Sequence, residues 1–254
     1  MKTYFSMKSV VYALGAVLLS SFVLTSCLKD KNDVNNNSAV SGLMAFNLAP
    51  DKNVNIGLSG ASLTQTPLSY TSYTGSYLTI YSGNRSFESY DANVGSVLDR
   101  TNFNFADSQY YSAFVIGKNG SYRNVIVHDN FDSLKAVSGK AFVRYIYAIP
   151  DSANSTVIFN AGGSDIVNQS AKFGNISEFT EVPAGNVTIT VNGGASINTN
   201  RTINFEERKV YTVLLVGVPG SSNESDSLQI RYITHGTLDE EAARVASARV
   251  QNVN

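Results

Sequence analysis

The chain says nearly the same thing twice, and that repetition constrains its fold more than any other feature. Leu48-Ala49-Pro50-Asp51 returns as Ala148-Ile149-Pro150-Asp151, and Asn102-Phe103-Asn104-Phe105 as Thr202-Ile203-Asn204-Phe205. Residues 110–117 (YYSAFVIG) return as 210–217 (VYTVLLVG), and all three pairs stand 100 residues apart. A fourth pair, 75–83 (GSYLTIYSG) with 185–193 (GNVTITVNG), is read at a shift of 110, with compensating loop insertions between blocks. A period this long is no solenoid unit, so two tandem domains are expected.

Each block alternates with period two. Leu78 and Ile80 oppose Tyr77, Thr79 and Tyr81; Val187, Ile189 and Val191 oppose Thr188 and Thr190. That pattern marks half-buried strands. Residues 111–117 and 122–128 flank Lys118-Asn119-Gly120-Ser121, where Asn-Gly predicts a type I′ hairpin turn. In the second repeat the matching turn grows into a polar loop over 219–226. Glycine and proline recur about every ten residues and no helical period appears, so each repeat reads as a β-sandwich of about seven strands. The expected fold is all-β: two tandem immunoglobulin-like sandwiches over residues 40–133 and 139–236, then a short C-terminal helix or tail over 237–254. Thr237 with Glu240 has capping-box spacing for that helix; a final strand over 249–253 is the alternative.

The segment VRYIYAIPDS…VIFNAG…FTEVPAGNVTITVNG…INFEERKVYTVLLVG resembles the domain-of-unknown-function family 4397. Its members open with a strand running into a Pro-Asp turn, then carry an alternating strand after Ala-Gly and a later Tyr-Thr/Ser strand. The second repeat fits over 141–235. The first, 40–131, is similar in its blocks but places tyrosine where the family favours Val or Ile. The resemblance implies an immunoglobulin-like architecture in secreted or lipid-anchored bacterial proteins, and it lends no catalytic residue.

The N-terminus predicts where such domains stand. Lys2 and Lys8 precede the uncharged, mostly apolar run 10–24, whose 15 residues fall short of the roughly 20 that span a bilayer. Residues 1–26 are expected to be a removed signal peptide. Leu24-Thr25-Ser26-Cys27 resembles a lipoprotein lipobox, which makes Cys27, the single cysteine, the lipidated residue and the membrane its partner. Residues 27–39 follow as a polar tether, and 28–40 would reach roughly 45 Å when extended. Its mixed charges (Lys29, Asp30, Lys31, Asp33) resemble a surface-export signal, so an outer-membrane, surface-exposed lipoprotein is expected.

Without residues 1–26 the chain keeps 17 basic against 20 acidic side chains, a net charge of −3. No basic cluster for nucleic acid is present in that balance. No cofactor or metal site is expected, since the two histidines, His128 and His235, lack Cys or His neighbours in sequence. They close the last strand of their repeats and read as one inherited structural position. Asp51, Asn53 and Asn55 fail as a calcium loop, because Ile56 and Ser62 stand where glycine and glutamate are required. Nothing assembles a base, a nucleophile and an orienting group, so an enzyme is not expected. Tyr70, Tyr73, Tyr77 and Tyr81 form the candidate binding surface for a glycan or a protein; the alternative is that their rings pack the sandwich. Ser133, Ser152 and Ser227, each in an Asp-Ser-aliphatic triplet, are candidate O-glycosylation sites. The expected function is a binding or adhesion module, with a structural envelope component as the alternative.

Overall fold

The structure is a computed structural model that describes residues 39–150, 154–194 and 196–238. The expected signal peptide and lipobox, Cys27, nearly all of the expected tether, Ser152 and the segment after Leu238 expected to form a helix lie outside the described residues. Thr237, expected to cap that helix, instead ends a strand, paired with Lys209.

The first repeat forms β1 (Val40–Leu48), β2 (Val54–Leu58), β3 (Ala61–Ser62), β4 (Leu78–Tyr81), β5 (Gly83–Asp91), β6 (Val97–Phe105), β7 (Tyr110–Lys118) and β8 (Ser121–His128). The second forms β9 (Lys140–Tyr147), β10 (Ser155–Ala161), β11 (Ser164–Ala171), β12 (Thr180–Pro183), β13 (Gly185–Gly193), β14 (Ile197–Phe205), β15 (Lys209–Val216) and β16 (Gln229–Thr237). Each repeat is a sandwich of two four-stranded sheets. Their orders are β4-β1-β7-β8 with β3-β2-β5-β6, and β12-β9-β15-β16 with β11-β10-β13-β14. Eight strands replace the expected seven, because the short edge strands β3 and β12 are too brief to show a pattern of their own. Neighbours are antiparallel except β1 with β7 and β9 with β15, which run parallel.

The register corrects the fourth repeat pair. Gly83 pairs with Phe105 and Gly185 with Phe205, so β13 is the counterpart of β5 at a shift of 102. Residues 78–81 then match the edge strand 180–183, not the central strand 187–191. Two alternating segments with glycine at both ends were similar enough to align one strand out of place. The hairpin prediction holds: Lys118 pairs with Ser121 around Asn119 (φ 52°) and Gly120 (φ 84°), both in the positive-φ region that a type I′ turn requires.

Strands β1, β7, β9 and β15 are buried on both faces. Leu43, Ala45, Tyr111, Ala113 and Val115 enter the first sandwich's core with Val54, Ile56, Phe87 and Phe105 of the facing sheet. Val143, Tyr145, Tyr211 and Val213 do the same in the second, against Val157, Phe159 and Ile189. The alternate residues point the other way and meet: Met44, Phe46, Leu48, Phe114 and Ile116 pack on Ile146, Leu214, Val216 and Ile233. A third core therefore joins the two inner sheets, and the molecule has four layers. In place of two domains standing separately on a tether, one continuous stack results. Each large side chain in that middle layer contributes roughly 1.5–3 kcal/mol through burial. Continuous apolar runs such as 113–116 (AFVI) and 213–216 (VLLV) are what a strand buried on both faces reads like.

Candidate functional site

Three features stand out: a buried polar ring in the middle layer, a groove at the edge of the first sandwich, and the outer face of the last sheet.

The ring takes three groups from each sandwich. Tyr77 precedes β4, Ser112 lies on β7 and Asp129 follows β8; Arg144, Thr212 and His235 come from β9, β15 and β16. Arg144 is 2 % exposed and Asp129 is fully buried, and their ion pair measures 2.5 Å. Asp129 also accepts from Tyr77 Oη at 2.6 Å and Ser112 Oγ at 3.0 Å. Arg144 Nε donates to Thr212 Oγ1 at 2.9 Å. Donor accounting then fixes every proton. Thr212 donates its hydroxyl hydrogen to His235 Nε2 (2.6 Å), and His235 Nδ1–H donates to Tyr77 Oη (2.8 Å), whose own hydroxyl donates to Asp129. The imidazole is the neutral Nδ1–H tautomer. Burial, and then the Arg144 charge, push its pKa down to about 3. Burial, reinforced by Asp129, pushes the Tyr77 phenol up. Phe179 covers the guanidinium at 4.6 Å.

A closed circuit of this kind satisfies each buried group and leaves no nucleophile poised toward solvent. The cleft that reaches Arg144, bordered by His128, Asn130, Ser133 and Phe179, holds only about 60 Å³. Ligand pockets run roughly 300–1,000 Å³. The ring is a joint between sandwiches. It also separates the two histidines. Tyr111 pairs with His128, but a bulge at Val210/Tyr211 makes Tyr211 pair with Thr234. That one-residue slip turns His235 to the opposite face and into the middle layer. His128 remains exposed, hydrogen-bonded to Gln109. They do not share one inherited position.

The four tyrosines are not one exposed face. Tyr70, Tyr73 and Tyr77 are half-buried against the middle core; Tyr73 stacks on Phe46 at 5.3 Å, and burial lifts the Tyr70 phenol to about 12. Tyr81 alone is open, 63 % exposed, on edge strand β4. It borders a groove of about 540 Å³ between the edges of the first sandwich's two sheets. Leu58, Leu63 and Ile80 form the apolar floor, and Ser59, Thr79 and Arg85 add polar groups. The register explains why the groove exists. Arg85 pairs with Phe103 where Val187 pairs with Ile203, so an arginine occupies the position of a core valine. Its Nε and Nη2 donate to the Tyr81 and Ser82 carbonyls at 3.1 Å, which pins the edge strand back from the facing sheet. The sequence carried both signals unread: a charge inside the apolar strand 141–149, and Arg85 in phase with buried Phe87.

Ser133 ends a 3₁₀ turn and is exposed, its hydroxyl donating to the Asn130 carbonyl. Ser227 is half-buried, its hydroxyl donating to the Glu224 carbonyl. Among the described residues no group of three or more His, Cys, Asp or Glu side chains could hold a metal ion. No helix among them is long and apolar enough to cross a membrane.

The family model described as "Domain of unknown function (DUF4397)" matches residues 41–147 and again 141–254. No curated protein matches the chain. Among solved structures, a family-26 carbohydrate-binding module from Eubacterium rectale, in complex with maltoheptaose, is similar over 79 % of this chain and 98 % of its own, at 10 % identity and a TM-score of 0.24. A candidate cell adhesion protein from Bacteroides eggerthii is similar over 79 % and 96 %, at 10 % identity and a TM-score of 0.22. Likenesses this distant carry no argument.

Proposed function

The chain belongs to the DUF4397 family, whose model matches it twice, and we propose that it is a binding module whose ligand site is the Tyr81 groove. One observation carries this reading. The same sandwich is built twice, and the first copy, with Arg85 where the second has Val187, carries the larger edge groove, about 540 Å³ against about 230 Å³. Opening a core forfeits burial, so an opened edge with an exposed aromatic at its rim is what ligand binding would keep. An apolar floor, a tyrosine ring and hydroxyls at the rim suit a sugar ring, which has a C–H face to stack and hydroxyls to bond.

In this reading the protein is held at the cell envelope by a lipid on Cys27, as an outer-membrane lipoprotein displaying both sandwiches outward. Of the two described O-glycosylation candidates, exposed Ser133 is the one that its surroundings support better. Anchoring is tested by detergent partitioning of a Cys27→Ser variant, which should move to the aqueous phase; retention with detergent would remove the lipid from the account. The ligand site is tested by screening the protein against oligosaccharides and matrix proteins beside Tyr81→Ala. Loss of the aromatic platform should weaken binding about tenfold or more. Identical profiles for the two proteins would exclude the groove.

A further inference from the structure

The outer face of the last sheet has a composition that sheet stability alone would not select. On β14 its outward residues are Asn198, Asn200, Thr202 and Asn204, all exposed. Opposite them on β13 stand Asn192, Thr190, Thr188 and Asn186. The next strand, β10, adds Thr156, Ile158 and Asn160 in register, and β11 adds Ser170 and Asn168. Asp165, at one corner opposite Asn160, is the single charge among these described positions. Asparagine is depleted in strands, yet it recurs here as directly opposed pairs, Asn186 with Asn204 and Asn192 with Asn198. Solvated sheet faces ordinarily carry Lys, Arg, Asp and Glu. The matching outer face of the first sandwich does carry charge: Glu88 is bridged to Arg100 at 3.3 Å and accepts from Tyr90 Oη at 2.9 Å.

We propose that this Asn/Thr face binds a neutral polysaccharide chain. Charge selects the occupant: with no cation and one carboxylate at a corner, the face complements neither a polyanion nor a polycation. Hydrogen-bonding chemistry agrees. An amide presents a donor and an acceptor side by side, as vicinal hydroxyls do, and threonine adds methyls for the C–H faces of sugar rings. The Thr188–Thr202 hydroxyl contact (2.9 Å) and the Asn204–Asn186 amide contact (3.1 Å) hold these groups in rows. Rows lie roughly 4.8 Å apart between strands and about 6.8 Å apart along them, a flat lattice for an extended chain. Four strands of this length present about 400 Å², half of the ~800 Å² per partner that a stable protein interface buries. A second copy of this chain is therefore the poorer occupant. The site is separate from the Tyr81 groove and stands or falls without it.

The test is affinity electrophoresis of the full-length protein in gels containing soluble neutral polysaccharides (a glucan, a galactomannan, a xyloglucan), with alginate and heparin as charged controls. Retardation is expected on a neutral polymer, and it should persist in high salt. Asn192→Lys with Asn200→Lys, at exposed positions, should weaken it about tenfold while the thermal midpoint holds. Thr202→Ala is the milder second variant should the double substitution disturb folding. Tyr81→Ala should leave retardation in place. No retardation by any neutral polymer overturns the proposal, as does equal retardation of the lysine variant, retardation by the charged polymers alone, or loss in Tyr81→Ala. A dimer in sedimentation that the lysine substitutions dissolve would make the face a self-association surface instead.

Discussion

The two sandwiches share a strand order, and at two positions an arginine in one copy stands where the other has an apolar residue. Where the second copy has Val187 in its core, the first has Arg85 lining the edge groove. Where the first has Met44 in the middle layer, the second has Arg144. These two arginines do opposite things. Arg85 lies half-exposed on β5, bonds the carbonyls of Tyr81 and Ser82 and lines an open groove. Arg144 is sealed and bonds three side chains, two of them, Ser112 and Asp129, across the joint. A duplicated fold can thus put the same residue type at an open edge in one copy and in a sealed joint in the other.

The joint gives the largest expected effect. Arg144→Ala leaves the Asp129 carboxylate fully buried without its cation, at a cost of about 3–5 kcal/mol in equilibrium unfolding. Copying the first repeat's choice, Arg144→Met combined with Asp129→Asn, should recover more than half of that loss, because a neutral pair in an apolar layer is tolerated. If the double variant is no more stable than Arg144→Ala, the charges themselves hold the sandwiches together.

Next in size is a pH dependence. His235 titrates near 6.5 when unfolded and about 3 in the fold, so the unfolded chain binds more protons between those values. Stability that is full above pH 6.5 should fall as pH drops toward 3, by at most about 1.4 kcal/mol per pH unit. His235→Gln should flatten that slope, and His128→Gln, at the exposed counterpart, should not. Thermal melts across pH 7 to 4 would check this, and equal slopes in both variants would break the contrast between the two histidines.

Much of this was legible in the chain. The repeat, the strand alternation and the Asn119-Gly120 turn are local signals, and each residue involved reports on its own neighbours. The middle layer was not, because alternation tells which residues face a core but not whether the other face is also covered. Runs such as 113–116 hold that information only as missing polar residues. His235 was misplaced by a single bulge, which no periodicity announces. The tyrosines failed for a related reason: Tyr70, Tyr73 and Tyr77 look like an amphipathic surface until a second sandwich lies on them. Tyr81 stays exposed because it sits on an edge strand beyond that contact.

The third effect concerns the groove. Arg85→Val gives the first sandwich the residue that seals the second. Burying a valine against Leu58, Leu63 and Ile80 should stabilise the fold by about 1 kcal/mol after loss of the two carbonyl contacts. The same substitution should abolish ligand binding at Tyr81. A destabilised Arg85→Val would show that the arginine is a strut the edge depends on and not the wedge that opens it.

The smallest effect separates the two hairpins. Gly120 sits second in a two-residue turn at φ 84°, with its strand ends locked in pairing from Lys118 to Ser121. Gly220 sits at φ 72° in the long connection between β15 and β16, where flanking residues are free of the ladder. A Cβ on either glycine meets nothing within 4 Å, so the whole cost is backbone strain. Gly120→Ala should cost about 1 kcal/mol, because the type I′ geometry cannot relax without breaking the register of β7 and β8. Gly220→Ala should cost about half as much or less, since a longer loop redistributes the strain over several torsions. Chemical denaturation of the two variants measures the difference directly. Equal costs would mean that the second repeat's loop is as rigidly set as the first repeat's tight turn, and that lengthening it did not loosen it.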